Sequence, residues 1–422
     1  MKKLITTFIL FFMICLPAYS DVQHITLDEA VSLALEHNLD LKSKRKQAEE
    51  LEQDIKIANA LKNPQFQSNF LMGKVTRGNS SQFGMNVPVE ISKRGIRKKI
   101  AQTDLEIVKK EIRAKELDLK IAVMRNYFSV IYAKSVVKIL QDREKLFKNM
   151  MVISQQRTKN SPNYKLDVLQ SQIKYQKQVV FLNKAKANLL VAQFELNNAL
   201  NIKDSQTMYD TVESSLFANN LSILDLNLLP YQEIEDTAMK YSYSLSIAQD
   251  NIQRSEQKIT EAKHKRIPDI SVGGGYAYQT ARQTGGEALP GAYVGVSADI
   301  PLLYFYNPEI KKAKITLERS NLNKESFENH LRYALKEDYN KFKYSKENMG
   351  YYSSILQESQ TILDEHTKRY EKGQSTLLNL LQVETMHQET LRDYIDAIQK
   401  YYDAYLDLMH NVGHEILLNT DL

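Results

Sequence analysis

The feature that most restricts this chain is the length of its uninterrupted helical stretches. Nine prolines and fourteen glycines are clustered along 422 residues, which leaves segments near 94–157 and 307–372 with almost no helix breaker. At ~1.5 Å per residue the first would be ~95 Å long. Globular helices are typically about three turns. The second long segment runs into Tyr370–Thr385, YEKGQSTLLNLLQVET, where Gly373 and small polar residues reverse the chain before another helical pattern at 376–412. A hairpin this tall covers distance instead of closing a compact core.

The plan occurs twice. A shift of 204 residues places Glu52–Ala58 on Glu256–Ala262, and Ala34, Leu41 and Pro64 on Ala238, Leu245 and Pro268. A shift of 212 places Arg157 on Arg369, Ser161 on Gly373, and Leu169-Gln170 on Leu381-Gln382. The extra residues of the second half fall in the loop around Thr280–Pro290. Ordered self-similarity of this kind indicates two structural repeats: 21–210 and 230–422, with 211–229 as a linker. Each reads as a short helix, a medium helix, two strands, a long helix, a turn and a further helix. The segments are 27–37, 39–62, 65–75, 80–91, 94–157 and 164–199, then 230–241, 243–266, 269–279, 291–302, 307–372 and 376–412.

The strands alternate sharply. Phe83, Met85, Val87, Val89 and Ile91 point one way, while Gln82, Gly84, Asn86 and Glu90 point the other. Ala292, Val294, Val296, Ala298 and Ile300 likewise oppose Tyr293, Gly295, Ser297 and Asp299. One reading is a half-exposed antiparallel sheet of a soluble domain. The other is a membrane-spanning sheet, since strands of ~10–12 residues cross a bilayer when tilted. Four strands cannot close a barrel. Three copies of the chain would supply twelve strands and two copies eight, which periodicity does not distinguish. In a barrel, Gln82, Asn86, Glu90, Ser297 and Asp299 would line the lumen. The run Gly273-Gly274-Gly275 lies inside a strand pattern and suits curvature better than a phosphate site.

In the first long helix, Leu117, Ile121, Met124, Phe128 and Ile131 form one apolar stripe, and Leu119, Val123, Tyr127 and Val130 form a second. Asp118, Arg125 and Ser129 fall on a separate polar face. A helix in the wall of a tube needs a seam for each neighbour; an ordinary bundle helix buried on two sides fits the same pattern.

At the N-terminus, Lys2-Lys3, the apolar run Leu4–Leu16 and Ala18-Tyr19-Ser20 read as a secretory signal peptide over 1–20, cut before Asp21. Later segments do not approach ~20 uninterrupted apolar residues, so a transmembrane helix is not expected. The single cysteine, Cys15, lies in the signal, leaving the mature chain without disulfides. The balance of 56 basic against 51 acidic residues is spread along the chain, which argues against nucleic acid as a partner. Tyrosine is abundant (24) and tryptophan absent, a supply that suits a water–apolar boundary.

Taken in order, these residues resemble the TolC-like outer-membrane efflux protein family. The opening ITLDEAVSLALEHNLDLKSKRKQAEE, with its Leu-x-Glu-Ala start and break at His37-Asn38, resembles the family's first helices. RYEKGQSTLLNLLQ resembles its hairpin tip. The resemblance implies a mainly helical fold with a small β-barrel part: a homotrimer with a twelve-stranded barrel in the outer membrane and a twelve-helix tunnel through the periplasm. It further implies a periplasmic adaptor and an inner-membrane pump as partners, outer-membrane lipid around the barrel, and no cofactor. By the same resemblance Arg157, Ser161, Leu166 and Asp167 in one tip, and Arg369, Gly373, Leu378 and Asn379 in the other, face the adaptor; helix capping is the plain alternative. Asp167, Gln170, Asn379 and Gln382 would form the tunnel entrance. Well-known members carry paired aspartates where Asn379 and Gln382 stand, so cation preference is in doubt here.

An enzyme is not indicated: the mature chain offers no cysteine nucleophile, phosphate loop or compact histidine–carboxylate cluster. His410 and His414 have metal-ligand spacing, but Gly413 between them should end the helix. The expected function is the exit duct of an efflux system for small molecules or metal ions. Its alternatives are the duct of a type I protein secretion system and a non-conducting periplasmic coiled coil, which would leave the strand alternation unexplained.

Overall fold

The computed structural model describes residues 21–72, 79–160, 165–201, 207–216 and 229–413. Strand β1 (Asp21–Ile25) leads into α1 (Leu27–His37), α2 (Leu39–Ala58), β2 (Gln65–Met72), β3 (Asn79–Val89), α3 (Lys93–Asn160), α4 (Lys165–Leu200) and β4 (Thr207–Thr211). There follow α5 (Tyr231–Tyr241), α6 (Tyr243–His264), β5 (Ile270–Gln279), a short α7 (Ala281–Thr284), β6 (Leu289–Ala298), α8 (Asn307–Glu371) and α9 (Leu377–Val412). The order helix, helix, strand, strand, long helix, helix therefore appears on both sides of β4, and α7 occupies the expected loop.

Three departures from expectation stand out. The helix expected over 39–62 stops at Ala58, its last turn tightening as the Ala60 N–H donates to the Ile57 carbonyl, and Pro64 keeps Asn63 out of helical backbone. The strand expected over 291–302 runs over 289–298; Pro301 has no N–H to offer a ladder. The third is β1 pairing with β4 in parallel, Asp21 opposite Thr207 through Ile25 opposite Thr211, inside the segment read only as repeat and linker. The signal residues 1–20 and the end of the strand expected over 65–75 lie outside the described residues.

The chain resolves into two compact units. One draws on the described residues of Met1–Lys42, Lys115–Ser242 and Leu331–Leu422, the other on Ser43–Ala114 and Tyr243–His330.

In the first unit both stripes of α3 are buried: Ile121, Met124, Phe128 and Ile131 on one, Val123, Tyr127 and Val130 on the other. Phe128 stacks on Tyr402 of α9, and Phe342 of α8 stacks on Tyr401 with centroids 4.9 Å apart. The polar face of α3 stays partly exposed and pairs with α9. Arg125 donates to Asp403 and Asp407 at 2.9 and 2.7 Å, Tyr132 donates to Asp396 at 2.7 Å, and Asp118 pairs with His410 at 3.2 Å. The β1–β4 pair is pinned to α3 by a nearly buried cation. Lys134 Nζ reaches the Thr211 carbonyl (2.7 Å), the Thr211 hydroxyl (2.9 Å) and the Asp210 carboxylate (2.9 Å). Tyr127 adds hydrogen bonds to the Ile25 carbonyl and to Glu213. A buried ammonium is tolerated only when satisfied in this way. At the start of α1, Thr26 Oγ1 accepts from the Glu29 N–H while Glu29 Oε2 accepts from the Thr26 N–H. The Leu-x-Glu-Ala opening is thus a complete capping box.

The second unit carries one antiparallel sheet in the order β2-β3-β5-β6. Val87 lies opposite Val272 and Val272 opposite Val296; Met85 faces both Phe66 and Gly274. These apolar residues share one face, and that face is uncovered: Phe66, Phe70, Met85, Val87, Tyr276, Val294 and Val296 are all exposed. On the opposite face Gly273 and Gly275 allow close approach. A Cβ at Gly275 would collide with the Phe83 carbonyl oxygen and the Gly84 Cα, and one at Gly273 with the Asn86 side chain. At Gly295 on β6 a Cβ would meet nothing within 4 Å. Gly275→Ala should therefore destabilise the sheet by about 1–3 kcal/mol, while Gly295→Ala should leave it nearly unchanged. The denaturation midpoint of the β signal in circular dichroism measures both; equal midpoints for the two variants would contradict the close approach.

Candidate channel surfaces in the sheet and the hairpin tip

The residues expected to line a lumen fall into two groups. Gln82 and Asn86 of β3 share the glycine face with Ser297 of β6, and Asn86 Nδ2 donates to Gln67 Oε1 at 2.7 Å. Glu90 and Asp299 lie just beyond their strands. Glu90 is nearly buried in an ion cluster: Arg97 grips both its oxygens at 2.7 and 2.8 Å, and Lys62 stands 3.3 Å away. Lys62 and Lys93 also reach Asp269, at 3.3 and 3.0 Å. The Arg97 hydrogen bonds hold the Glu90 carboxyl below the ordinary range against the cost of its burial.

At the second tip, α8 ends in a Schellman motif. The Gln374 N–H donates to the Arg369 carbonyl and the Gly373 N–H to the Tyr370 carbonyl, both at 2.9 Å. Gly373 has φ +76°, the left-handed region that glycine enters without strain. Thr376 then caps α9 by accepting from the Asn379 N–H. The leucine run divides by face. Leu377, Leu380 and Leu381 are buried with Phe147, Met150, Leu363 and Tyr370, whereas Leu378, Asn379 and Gln382 are exposed. Arg369 is exposed and paired with Glu365 one turn back. On α4, Leu166 and Gln170 are exposed and Asp167 half-buried. Arg157 lies within the last turn of α3, and Ser161 falls outside the described residues.

One surface was not anticipated. On α4, Leu166, Leu169, Ile173, Val180, Leu190 and Phe194 are all more than half exposed. Their spacing is that of heptad positions a and d, with polar or small residues at 176, 183 and 187. On α8, Tyr344, Tyr351, Ile355 and Ile362 form a similar exposed line. Counting the 3–4 spacing along 166–194 would have found the first seam in the sequence.

Behind the tip, two polar groups sit in apolar surroundings. Glu384, 1 % exposed, takes a bidentate grip from Arg143 at 2.6 and 3.1 Å. Burial raises its carboxyl despite the guanidinium. His387 is buried with Nδ1 2.9 Å from Ser359 Oγ, and burial lowers its pKa below the ordinary 6.5. The folded state thus binds the His387 proton more weakly than the unfolded chain. Its contribution to stability is complete above pH 6.5 and declines as the pH falls from there through the lowered folded value. His387→Asn should lose less thermal stability than the native chain between pH 7.5 and pH 5. An equal loss in both would place the acid sensitivity elsewhere.

Residues 236–414 match the family model described as outer membrane efflux protein. No curated protein matches the chain. Among solved structures, the fold is similar to CusC (TM-score 0.74, 15 % identity, 92 % of each chain covered). It is also similar to the CmeC outer membrane channel of Campylobacter jejuni (0.68, 15 %, 92 % of this chain and 85 % of that one). VceC of Vibrio cholerae gives 0.71 at 12 % identity, covering 92 % and 96 %. The family match over residues 236–414 and the similarity of fold over most of the chain point the same way: the second half resembles outer membrane efflux proteins in sequence, and the fold is the one seen in CusC, CmeC and VceC.

Proposed function

We propose that the chain is the outer-membrane exit duct of a tripartite efflux system. In this reading it is a homotrimer that passively conducts small molecules or metal ions from an inner-membrane pump and periplasmic adaptor to the outside. The observation that carries the reading is the sheet: four strands with an exposed apolar face, in which, among the described residues, β2 and β6 are each paired on one side only. Lipid satisfies such a face, and strands of neighbouring copies satisfy such edges; three copies close a barrel of twelve. The exposed heptad seams on α4 and α8 fit the same assembly, since a seam of this kind is covered by another helix.

The polar face of the sheet, with Gln82, Asn86 and Ser297, would then border the lumen, with Glu90 and Asp299 at its inner margin. The tips, with Leu166, Asp167, Arg369, Gly373, Leu378 and Asn379, would meet the adaptor, together with Arg157 and Ser161. Asp167, Gln170, Asn379 and Gln382 would narrow the entrance. A signal peptide over 1–20 would deliver the chain across the inner membrane.

Two experiments test this. Val87→Arg, on the apolar face, should cost ~2–4 kcal/mol if it lies near a bilayer midplane and should reduce the trimer seen by native mass spectrometry in detergent. Asn86→Arg should be tolerated better; a stable monomer of the native chain would reject the assembly. At the entrance, the double substitution Asn379→Asp with Gln382→Asp places up to six carboxylates around three copies. Single-channel reversal potentials in a salt gradient should shift toward cation preference, less so at high salt. An unchanged reversal potential in a correctly assembled double variant removes these residues from the entrance.

A further inference from the structure

We propose that the connection from β6 to α8, with the lysines beside it, is an anchor for anionic phospholipid headgroups at the membrane boundary. The inference rests on the reading of the sheet as membrane-spanning. Connections facing water are ordinarily polar. Here Leu302, Leu303, Tyr304 and Phe305 follow one another and all are exposed, Leu303 completely. The segment is nevertheless held. Arg266 Nε donates to the Phe305 carbonyl at 2.8 Å and its Nη2 donates to Asn307 Oδ1. Tyr304 donates to Glu309 at 2.5 Å, and the Tyr304 and Tyr306 rings meet edge to face at 5.2 Å. Polar atoms are tied to the ends of α6 and α8, and the aliphatic side chains are left outward. Apolar surface displayed by a fixed backbone directly after a spanning strand suits the acyl–headgroup boundary, where tyrosine is also favoured.

Charge selects among headgroups. Lys263 and Lys265 flank the end of α6, adjoining Arg266, and Lys311 and Lys312 lie in the opening turns of α8. All four are exposed, and among the described residues none forms an ion pair within 4.0 Å. Lys62, Lys93 and Arg97, by contrast, are already answered by Glu90 and Asp269. Lys265 lies within electrostatic reach of Glu309; with that one acidic neighbour the surface still offers a net positive charge beside exposed apolar groups, which is the complement of an anionic lipid and not of a zwitterionic one.

The test uses the full-length protein in bilayer discs of equimolar phosphatidylglycerol and phosphatidylcholine, with native mass spectrometry of the lipids that stay bound on release. The native protein should retain several-fold more phosphatidylglycerol. The variant Lys263→Gln, Lys265→Gln, Lys311→Gln, Lys312→Gln should lose this preference and retain the two lipids about equally, since a lysine at the surface contributes up to about fivefold. Equal retention of both lipids by the native protein, or an undiminished preference in the variant, overturns the proposal. Leu303→Cys carrying a benzophenone should crosslink to lipid; crosslinking to a second copy of the chain overturns it as well. Conductance in pure phosphatidylcholine tests the duct separately. A protein that conducts there but shows no lipid preference defeats the anchor alone. One that neither inserts nor conducts, yet floats with phosphatidylglycerol vesicles in a lysine-dependent manner, upholds the headgroup site and defeats the duct.

Discussion

Everything in the second unit depends on what satisfies the four-stranded sheet. Among the described residues its backbone groups are paired internally from β2 through β6 and open at both margins, and its apolar side chains are left exposed. In water such a sheet would collapse or aggregate through its edges. Hydrocarbon removes the penalty for the face but raises that for the edges, because an unpaired N–H or C=O in lipid costs several kcal/mol. The two demands together favour closure by further copies of the chain. The glycines serve the same sheet from its polar side, where Asn86 lies over Gly273 and Tyr293 reaches toward Gly84.

The helical unit solves a different problem, which is to hold very long helices in one register. Apolar stripes alone allow α3 to slide along α9 by a turn at little cost. The hydrogen-bonded pairs do not, because sliding would strand Asp396, Asp403 and Asp407 from Tyr132 and Arg125. Exposed pairs of this sort add little stability. Their geometric effect is to specify one alignment. Lys134 does the same for the β1–β4 pair, and more strongly, since burial makes its partners obligatory.

At the hairpin, one glycine and one threonine do most of the local work. Gly373 lets the chain leave α8 with its last carbonyls satisfied, and Thr376 starts α9. The leucines that follow then split between a buried cluster and an exposed edge. The side chains offered outward, Leu378, Asn379 and Gln382, are therefore set by helical phase from the cap.

Nearly all the helices and the sheet strands were legible from sequence, because each is a local pattern long enough to repeat many times: period 3.6 along α3 and α8, period 2 along β3 and β6. The heptad seam of α4 was equally local and could have been read the same way. The tertiary structure alone decided the β1–β4 pairing, whose five-residue strands lie far apart in sequence and carry no alternation. It also decided the fate of individual polar groups. Asp118 and Arg125 read as a wet face, and only the approach of α9 made them partners of His410, Asp403 and Asp407. Glu90 read as the next alternating residue of a strand, and only the arrival of Arg97 and Lys62 drew it into an ion cluster. Periodicity determines which side a residue faces; what waits on that side is set by chain segments that periodicity does not connect.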